Sequence, residues 1–331
     1  MSPRARYPKE GARGVLNPSV ETFLQERPDI HLGKADFLAE RSHHARVFGL
    51  QAIPAAQQAP IGDIEFTCIR GPAGTIPIRV LYPKSGETAR QQGEAAALIY
   101  FHGGGYTVGS VDEFENGLRI LAEEAGVQIY APDYRLSPEW KWPTQLDEFD
   151  AVYHWLRHIG GKPRGVNPER ICGGGDSVGG TMAASVSIRR RDDGDFPLKA
   201  QFLYYPVPRI PFDTKASIEN NSGFYVECNG YFSFADHYVP QGITITHPYV
   251  SPGSADDLRN LPPAAVYTCG FDPLRDVGID FARRLDESGN DVIWRHHDNL
   301  THGFLQFAPW SKGCLQALKD SAADIKKLAY D

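Results

Sequence analysis

A strand can turn straight into a helix around a side chain only if the residues beside the turn carry almost no bulk. The run Gly175-Asp176-Ser177-Val178-Gly179-Gly180 has that form, with Gly175 and Gly179 two residues either side of Ser177. The flanks agree: residues 170–174 read as a short buried strand and 181–188 as a helix with small residues near its start. Such a turn lifts the Ser177 hydroxyl out of the chain. The helix start adds a partial positive charge beside it, with the Val178 N–H as one donor. A serine is a useful nucleophile only when it is also oriented and paired with a base. Taken alone, G-x-S-x-G also arises in plain turns.

A second glycine run, His102-Gly103-Gly104-Gly105-Tyr106, ends another strand-like segment. It fits the loop whose backbone N–H groups complete an oxyanion hole. Two phosphate-binding patterns fail on inspection. Thr181 stands where the P-loop needs lysine, and Val108 and Val178 stand where G-x-G-x-x-G needs its last glycine.

An acid and a base follow in the order Ser, Asp, His. Strand-like residues 265–269 run into Gly270-Phe271-Asp272-Pro273-Leu274, and residues 291–296 lead to Thr301-His302-Gly303-Phe304. Asp272 would orient the imidazole of His302, which would take and return the proton of Ser177. The rivals are His296 and His297, adjacent on one strand and so facing opposite ways, with Asp276 opening a helix and Asp298 in a loop.

With these segments in place the chain resembles the hormone-sensitive lipase family of α/β-hydrolases, the subgroup with G-D-S-[AV]-G-G. The matching pieces are His102 to Tyr106, Gly109-Ser110, Asp133-Tyr134-Arg135-Leu136-Ser137-Pro138-Glu139, Gly175 to Gly180, Asp272-Pro273-Leu274-Arg275-Asp276 and His302-Gly303-Phe304, in family order across residues 60–325. Ser137 and Val178 depart from the family's usual alanines, and the bulkier Val178 would narrow the acyl side of the pocket. The resemblance implies ester hydrolysis through Ser177, Asp272 and His302, with Gly103, Gly104 and the Val178 N–H lining the oxyanion hole. The expected substrates are short- to medium-chain esters, with no metal or organic cofactor. His102 is expected to brace the glycine loop by hydrogen bonding. Other chemistries on this scaffold are elimination by a lyase or dehydratase, amide or lactone hydrolysis, and non-catalytic small-molecule reception. The receptors lack the histidine, which is present here.

Strand and helix readings alternate along the chain. Strands are expected at residues 64–69, 76–82, 96–102, 127–132 and 200–205, and helices at 19–25, 35–48, 113–125 and 144–158. In the last, Thr144 and Asp147 resemble a capping box. Residues 84–94 read as an exposed connection. This alternation predicts a mostly parallel sheet of about eight strands, helices on both faces, and the site at the strands' carboxyl ends. Residues 206–248 break the pattern with Phe212, Phe224, Tyr225, Tyr231, Phe232, Phe234 and Tyr238. By the resemblance, residues 1–58 and 206–248 form a cap on a catalytic domain of residues 59–205 and 249–331. Tyr106, Phe224, Tyr225 and Phe232 are the expected pocket residues, while Trp140 and Trp142 read as packing residues.

Composition limits the partners. The 331 residues carry a net charge of -7 with no basic block, which disfavours nucleic acid and anionic membrane surfaces. Residues 1–14 lack the apolar core of a secretory signal, and no stretch is long and apolar enough to span a bilayer. Five scattered cysteines without C-x-x-C argue against disulfides or a zinc site. A cytoplasmic location follows, and the sequons at Asn220 and Asn299 read as chance matches. A homodimer paired through the edge of residues 292–296 is a further expectation by analogy.

Overall fold

The computed structural model describes residues 6–33, 36–210 and 213–331. Residue 35, where the helix expected at 35–48 begins, and Phe212 lie outside them, as do residues 1–5. Eight strands among the described residues form one sheet: β1 (Asp63–Gly71), β2 (Gly74–Tyr82), β3 (Ala95–Phe101), β4 (Gln128–Pro132), β5 (Val166–Asp176), β6 (Gln201–Tyr204), β7 (Ala264–Phe271) and β8 (Val292–Thr301). Their order is β1-β2-β4-β3-β5-β6-β7-β8. The β1–β2 and β2–β4 pairs are antiparallel and the rest are parallel.

The central strands are buried on both faces, which is why β3 (AAALIYF) and β7 (AAVYTCGF) are apolar without alternation. The covering helices are α1 (Pro18–Glu26), α2 (Phe37–Phe48), α3 (Glu87–Gln91), α4 (Val111–Ala125), α5 (Thr144–Trp155), α6 (Val178–Asp193), α7 (Lys215–Glu219), α8 (Gly230–Tyr238), α9 (Arg275–Glu287), α10 (Phe304–Phe307) and α11 (Lys312–Tyr330). On the sheet, α4 packs with α11 and α5 with α6. This is the mostly parallel sheet between helices that the alternation predicts, and the α/β-hydrolase architecture that the resemblance implies.

Three local expectations change. The segment expected as an exposed connection at residues 84–94 contains α3. The capping box is absent: Pro143 holds the cap position of α5, and the Asp147 carboxylate instead takes a hydrogen bond from Arg189 at 2.8 Å. Trp140, read as a packing residue, is 42% exposed under the Arg135 guanidinium.

At the β8 edge, the chain's own N-terminal segment uses acceptors a second copy would need. Gly14 N–H donates to Asp298 O at 2.8 Å, Asn17 N–H to Asn299 O at 2.9 Å, and the Arg6 guanidinium to Val292 O at 2.7 Å. Of the edge expected for pairing, residues 292–296, the Val292 carbonyl is taken in this way, and the other two bonds lie just beyond it.

Candidate active site

The turn between β5 and α6 is strained where the sequence says it should be. Ser177 has φ 53° and ψ -121°, a conformation that costs a residue with a side chain about 1–3 kcal/mol. Its N–H is pinned to Tyr204 O at 2.8 Å. A Cβ on either Gly175 or Gly179 would run into the Phe101 carbonyl oxygen, so neither position accepts a side chain.

Asp272 and His302 follow the carboxyl ends of β7 and β8, two neighbouring parallel strands. The imidazole Nδ1 of His302 lies 2.9 Å from Asp272 Oδ2, with both side chains buried. Asp272 Oδ1 accepts the Leu274 N–H at 2.8 Å. Asn220 steadies the loop from behind, donating to the carbonyls of Gly270 (3.1 Å) and Asp272 (3.2 Å). That buried role makes Asn220 unusable as a glycan site. Ser177 and His302 line one narrow cavity of about 10 Å³, room for about one water molecule. Neither Ser177 Oγ nor His302 Nε2 is committed to a hydrogen bond.

The rival groups are spent elsewhere. His296 bonds Thr268 Oγ1 (3.0 Å) and the Ala12 carbonyl (2.6 Å). His297 packs against Phe304, and burial pushes its pKa down to about 4. The Asp276 carboxylate ties Gly11 N and Ala216 N, both at 2.9 Å, to the start of α9. Asp298 is exposed.

The glycine loop corrects one expectation. Gly103, expected in the oxyanion hole, gives its N–H to Asp176 Oδ1 at 2.8 Å. It does not line the cavity, whereas Gly104 does. Among the described residues, the N–H groups of Gly104, Gly105 and Val178 make no hydrogen bond. The free donors on the loop thus lie one residue later than expected, because Asp176, beside the serine, serves as the loop's anchor. Burial pushes the Asp176 carboxyl up to about 6, against the pull of its bonds from Gly103 N–H and the Tyr100 hydroxyl. His102 braces the loop as expected: its Nδ1 lies 2.8 Å from Gly103 O, and the ring is stacked between Phe114 and Tyr134. Desolvation lowers the His102 pKa.

Two distant segments close the cavity. Leu32 N–H donates to Tyr225 O at 2.8 Å, and Glu227 N–H to Leu32 O at 3.0 Å. Leu32, His44 and Tyr225 thereby reach the wall. Tyr225 holds φ 79° and its hydroxyl donates to Gln306 Oε1 at 3.2 Å. The phenol of Tyr231 approaches Ser177.

Of the four expected pocket residues, Tyr225 is at this cavity and three are not. Tyr106 is buried against Tyr238, ring centroids 3.5 Å apart. Phe224 packs on Phe271 beneath the Arg13 guanidinium. Phe232 is 49% exposed, because α8 turns Tyr231, Phe234, Ala235 and Tyr238 inward and leaves residue 232 on the outer face.

Sequence reasoning missed Glu113 and Gln306, which also line the cavity. Glu113 reads as a solvated acid at the start of α4. Gln306, four residues after His302, is the one with a positional clue. No cluster of three or more metal-ligating side chains exists among the described residues, and none of their helices is long and apolar enough to cross a membrane.

Comparison with known proteins adds independent findings. The family model described as alpha/beta hydrolase fold matches residues 98–306. Esterase LipI of Mycobacterium tuberculosis is 34% identical over 261 residues, covering 78% of this chain and 80% of that protein. An ethyl acetate hydrolase of Pseudomonas putida is 30% identical over 88% of this chain and 92% of its own. Among solved structures, an esterase of Pyrobaculum calidifontis superposes with a TM-score of 0.84 at 32% identity, covering 96% of this chain and 100% of that one.

Proposed function

This chain belongs to the hormone-sensitive lipase family of α/β-hydrolases and is a serine carboxylesterase, and from that premise we propose that Ser177, Asp272 and His302 are its catalytic triad. The observation that carries the assignment is the His302–Asp272 bond at 2.9 Å, which leaves Nε2 uncommitted in the cavity shared with Ser177. His302 Nε2 removes the Ser177 proton as Oγ bonds to the ester carbonyl carbon. The carbonyl oxygen takes the electron pair and is held by the N–H groups of Gly104, Gly105 and Val178. The tetrahedral species collapses, the ester C–O bond breaks, and His302 gives its proton to the departing alcohol. Water then adds to the acyl-enzyme with His302 as base, releasing the acid and free Ser177.

Short esters are the proposed substrates within the short- to medium-chain range. The cavity's volume of about 10 Å³ is far below the ~300–1,000 Å³ usual for drug-sized ligands, which favours small arms. The ethyl acetate hydrolase among the relatives supports the same reading. Residues 1–58 and 206–248 act as the cap, a division supported by the Leu32–Tyr225 pairing across the cavity. A reducing cytoplasmic setting is supported by five free cysteines, three of them buried.

The test is labelling with a fluorophosphonate and a pre-steady-state burst. One label per chain on the Ser177 peptide, with about one alcohol released per active site before turnover, is expected. Label on another residue, or steady turnover by Ser177→Ala, would refute the triad.

A further inference from the structure

Glu113 sits in the first turn of α4, only 4% exposed, and lines the cavity that holds Ser177 and His302. Its Oε1 accepts from the Ser110 hydroxyl at 3.0 Å, but its Oε2 is buried with no partner. A second lining residue has the same property. Gln306 uses Oε1 to accept from Tyr225, and its buried Nε2 donates to nothing. Buried polar groups are nearly always paired, so two unpaired ones in the wall of one cavity point to a ligand that pairs them.

We propose that Glu113 and Gln306 form a subsite for a hydroxyl group on the alcohol arm of the ester. This rests on the esterase reading and names its substrate more closely. The alcohol arm is chosen because His302 must reach the leaving oxygen, and Gln306 stands on α10 immediately after His302. The subsite therefore lies on the side from which the alcohol departs. A hydroxyl has the chemistry both unpaired atoms need: it can accept from an N–H such as that of Gln306 and bond a carboxyl such as that of Glu113.

Other groups fit less well. Burial, reinforced by Asp112, Asp133 and Asp176, pushes the Glu113 carboxyl up to about 8, so it is mainly neutral at pH 7. A cationic amine would need Glu113 ionised against that burial. An anion would meet Asp176 in the same wall. A bare alkyl arm would leave both polar atoms unpaired.

The experiment compares kcat/KM for ethyl butanoate and 2-hydroxyethyl butanoate, with ethyl butanoate and ethyl 3-hydroxybutanoate as the acyl-arm control. The wild type is expected to prefer the 2-hydroxyethyl ester by about tenfold and to show no comparable preference on the acyl arm. Glu113→Leu and Gln306→Leu should each bring the alcohol-arm ratio to about one or below, while Glu113→Gln should keep part of it. The ratio is internal to each variant, so partial loss of folded enzyme leaves it readable. If the leucine variants do not fold, the wild type and Glu113→Gln decide.

A wild-type ratio near one would overturn the subsite and leave Oε2 to a bound water. An unchanged ratio in Glu113→Leu, or a hydroxyl preference on the acyl arm, would also overturn it. A preference for an aminoethyl ester over the hydroxyethyl one would replace the hydroxyl with a cation. Absence of ethyl butanoate turnover in the wild type is a different result, because it would count against the short-ester reading itself.

Discussion

The elbow at Ser177 and the proposed cover, whose Leu32, His44 and Tyr225 reach the wall, border the same cavity by opposite means. At the elbow, backbone touches backbone: Gly175 and Gly179 lie against the Phe101 carbonyl, and Ser177 is held at φ 53° by its neighbours. Over the cavity, side chains touch side chains: Tyr225 meets Gln306, and Phe48 packs edge-on to Tyr225. The first arrangement has almost no tolerance, since a carbonyl cannot move aside. The second has many near-equivalent solutions, since aromatic rings repack. The proposed chemistry therefore rests on the rigid elbow, and the proposed selectivity on the adaptable cover together with Glu113.

Substitutions can break this contrast. The largest effect belongs to Ser177→Ala, which should lower kcat by about 10⁶ while leaving the melting temperature within a few degrees. Turnover within tenfold of wild type would remove the elbow's chemical role. Next is Gly179→Ala, whose methyl group would meet the Phe101 carbonyl. It should destabilise the fold by about 4 kcal/mol or prevent soluble expression, as read by urea unfolding. A normal midpoint would show that the elbow tolerates bulk after all.

A comparable energy is expected at Glu113, but only at high pH. Its native pKa is raised from 4.5 to about 8. Its stabilising contribution is therefore complete below about pH 4.5 and is lost as pH rises through about 8. The loss is bounded at roughly 5 kcal/mol. Glu113→Gln, which does not titrate, should gain on the wild type between pH 5 and pH 9 in urea unfolding. Parallel stability curves would show that the carboxyl is not desolvated. The smallest effect is Phe232→Ala, on the outer face of α8. It should change kcat/KM for ethyl butanoate less than twofold. A tenfold change would mean that the cover rearranges when substrate binds and brings this ring inward.

The same contrast explains what could be read before any coordinates. Gly175, Ser177 and Gly179 announce themselves because backbone sterics demand glycine at fixed spacing. Asp272 and His302 are legible because each follows a strand end. The strands themselves follow from unbroken apolar runs such as residues 95–101. Tyr225 was separable from Phe232 only once the helical phase of α8 was known, since both are aromatic residues in one irregular stretch. The Gly103 N–H, expected in the oxyanion hole but bonded to Asp176, is a related case. Which of three consecutive N–H groups faces the cavity depends on the Asp176 carboxylate, and a glycine run does not encode that choice. Glu113 was hidden for the plainest reason, that an acid early in a helix resembles a solvated one.

The central claim is that the attacked carbon sits on Ser177 with its oxygen facing Gly104, Gly105 and Val178. A crystal structure of the enzyme inactivated by an alkyl phosphonate tests it most directly. The account predicts phosphorus bonded to Ser177 Oγ and the phosphoryl oxygen about 3 Å from those three N–H groups, with the Gly103 N–H still on Asp176. Phosphorus on another residue, or a phosphoryl oxygen held by Gly103 after that bond is broken, would contradict it.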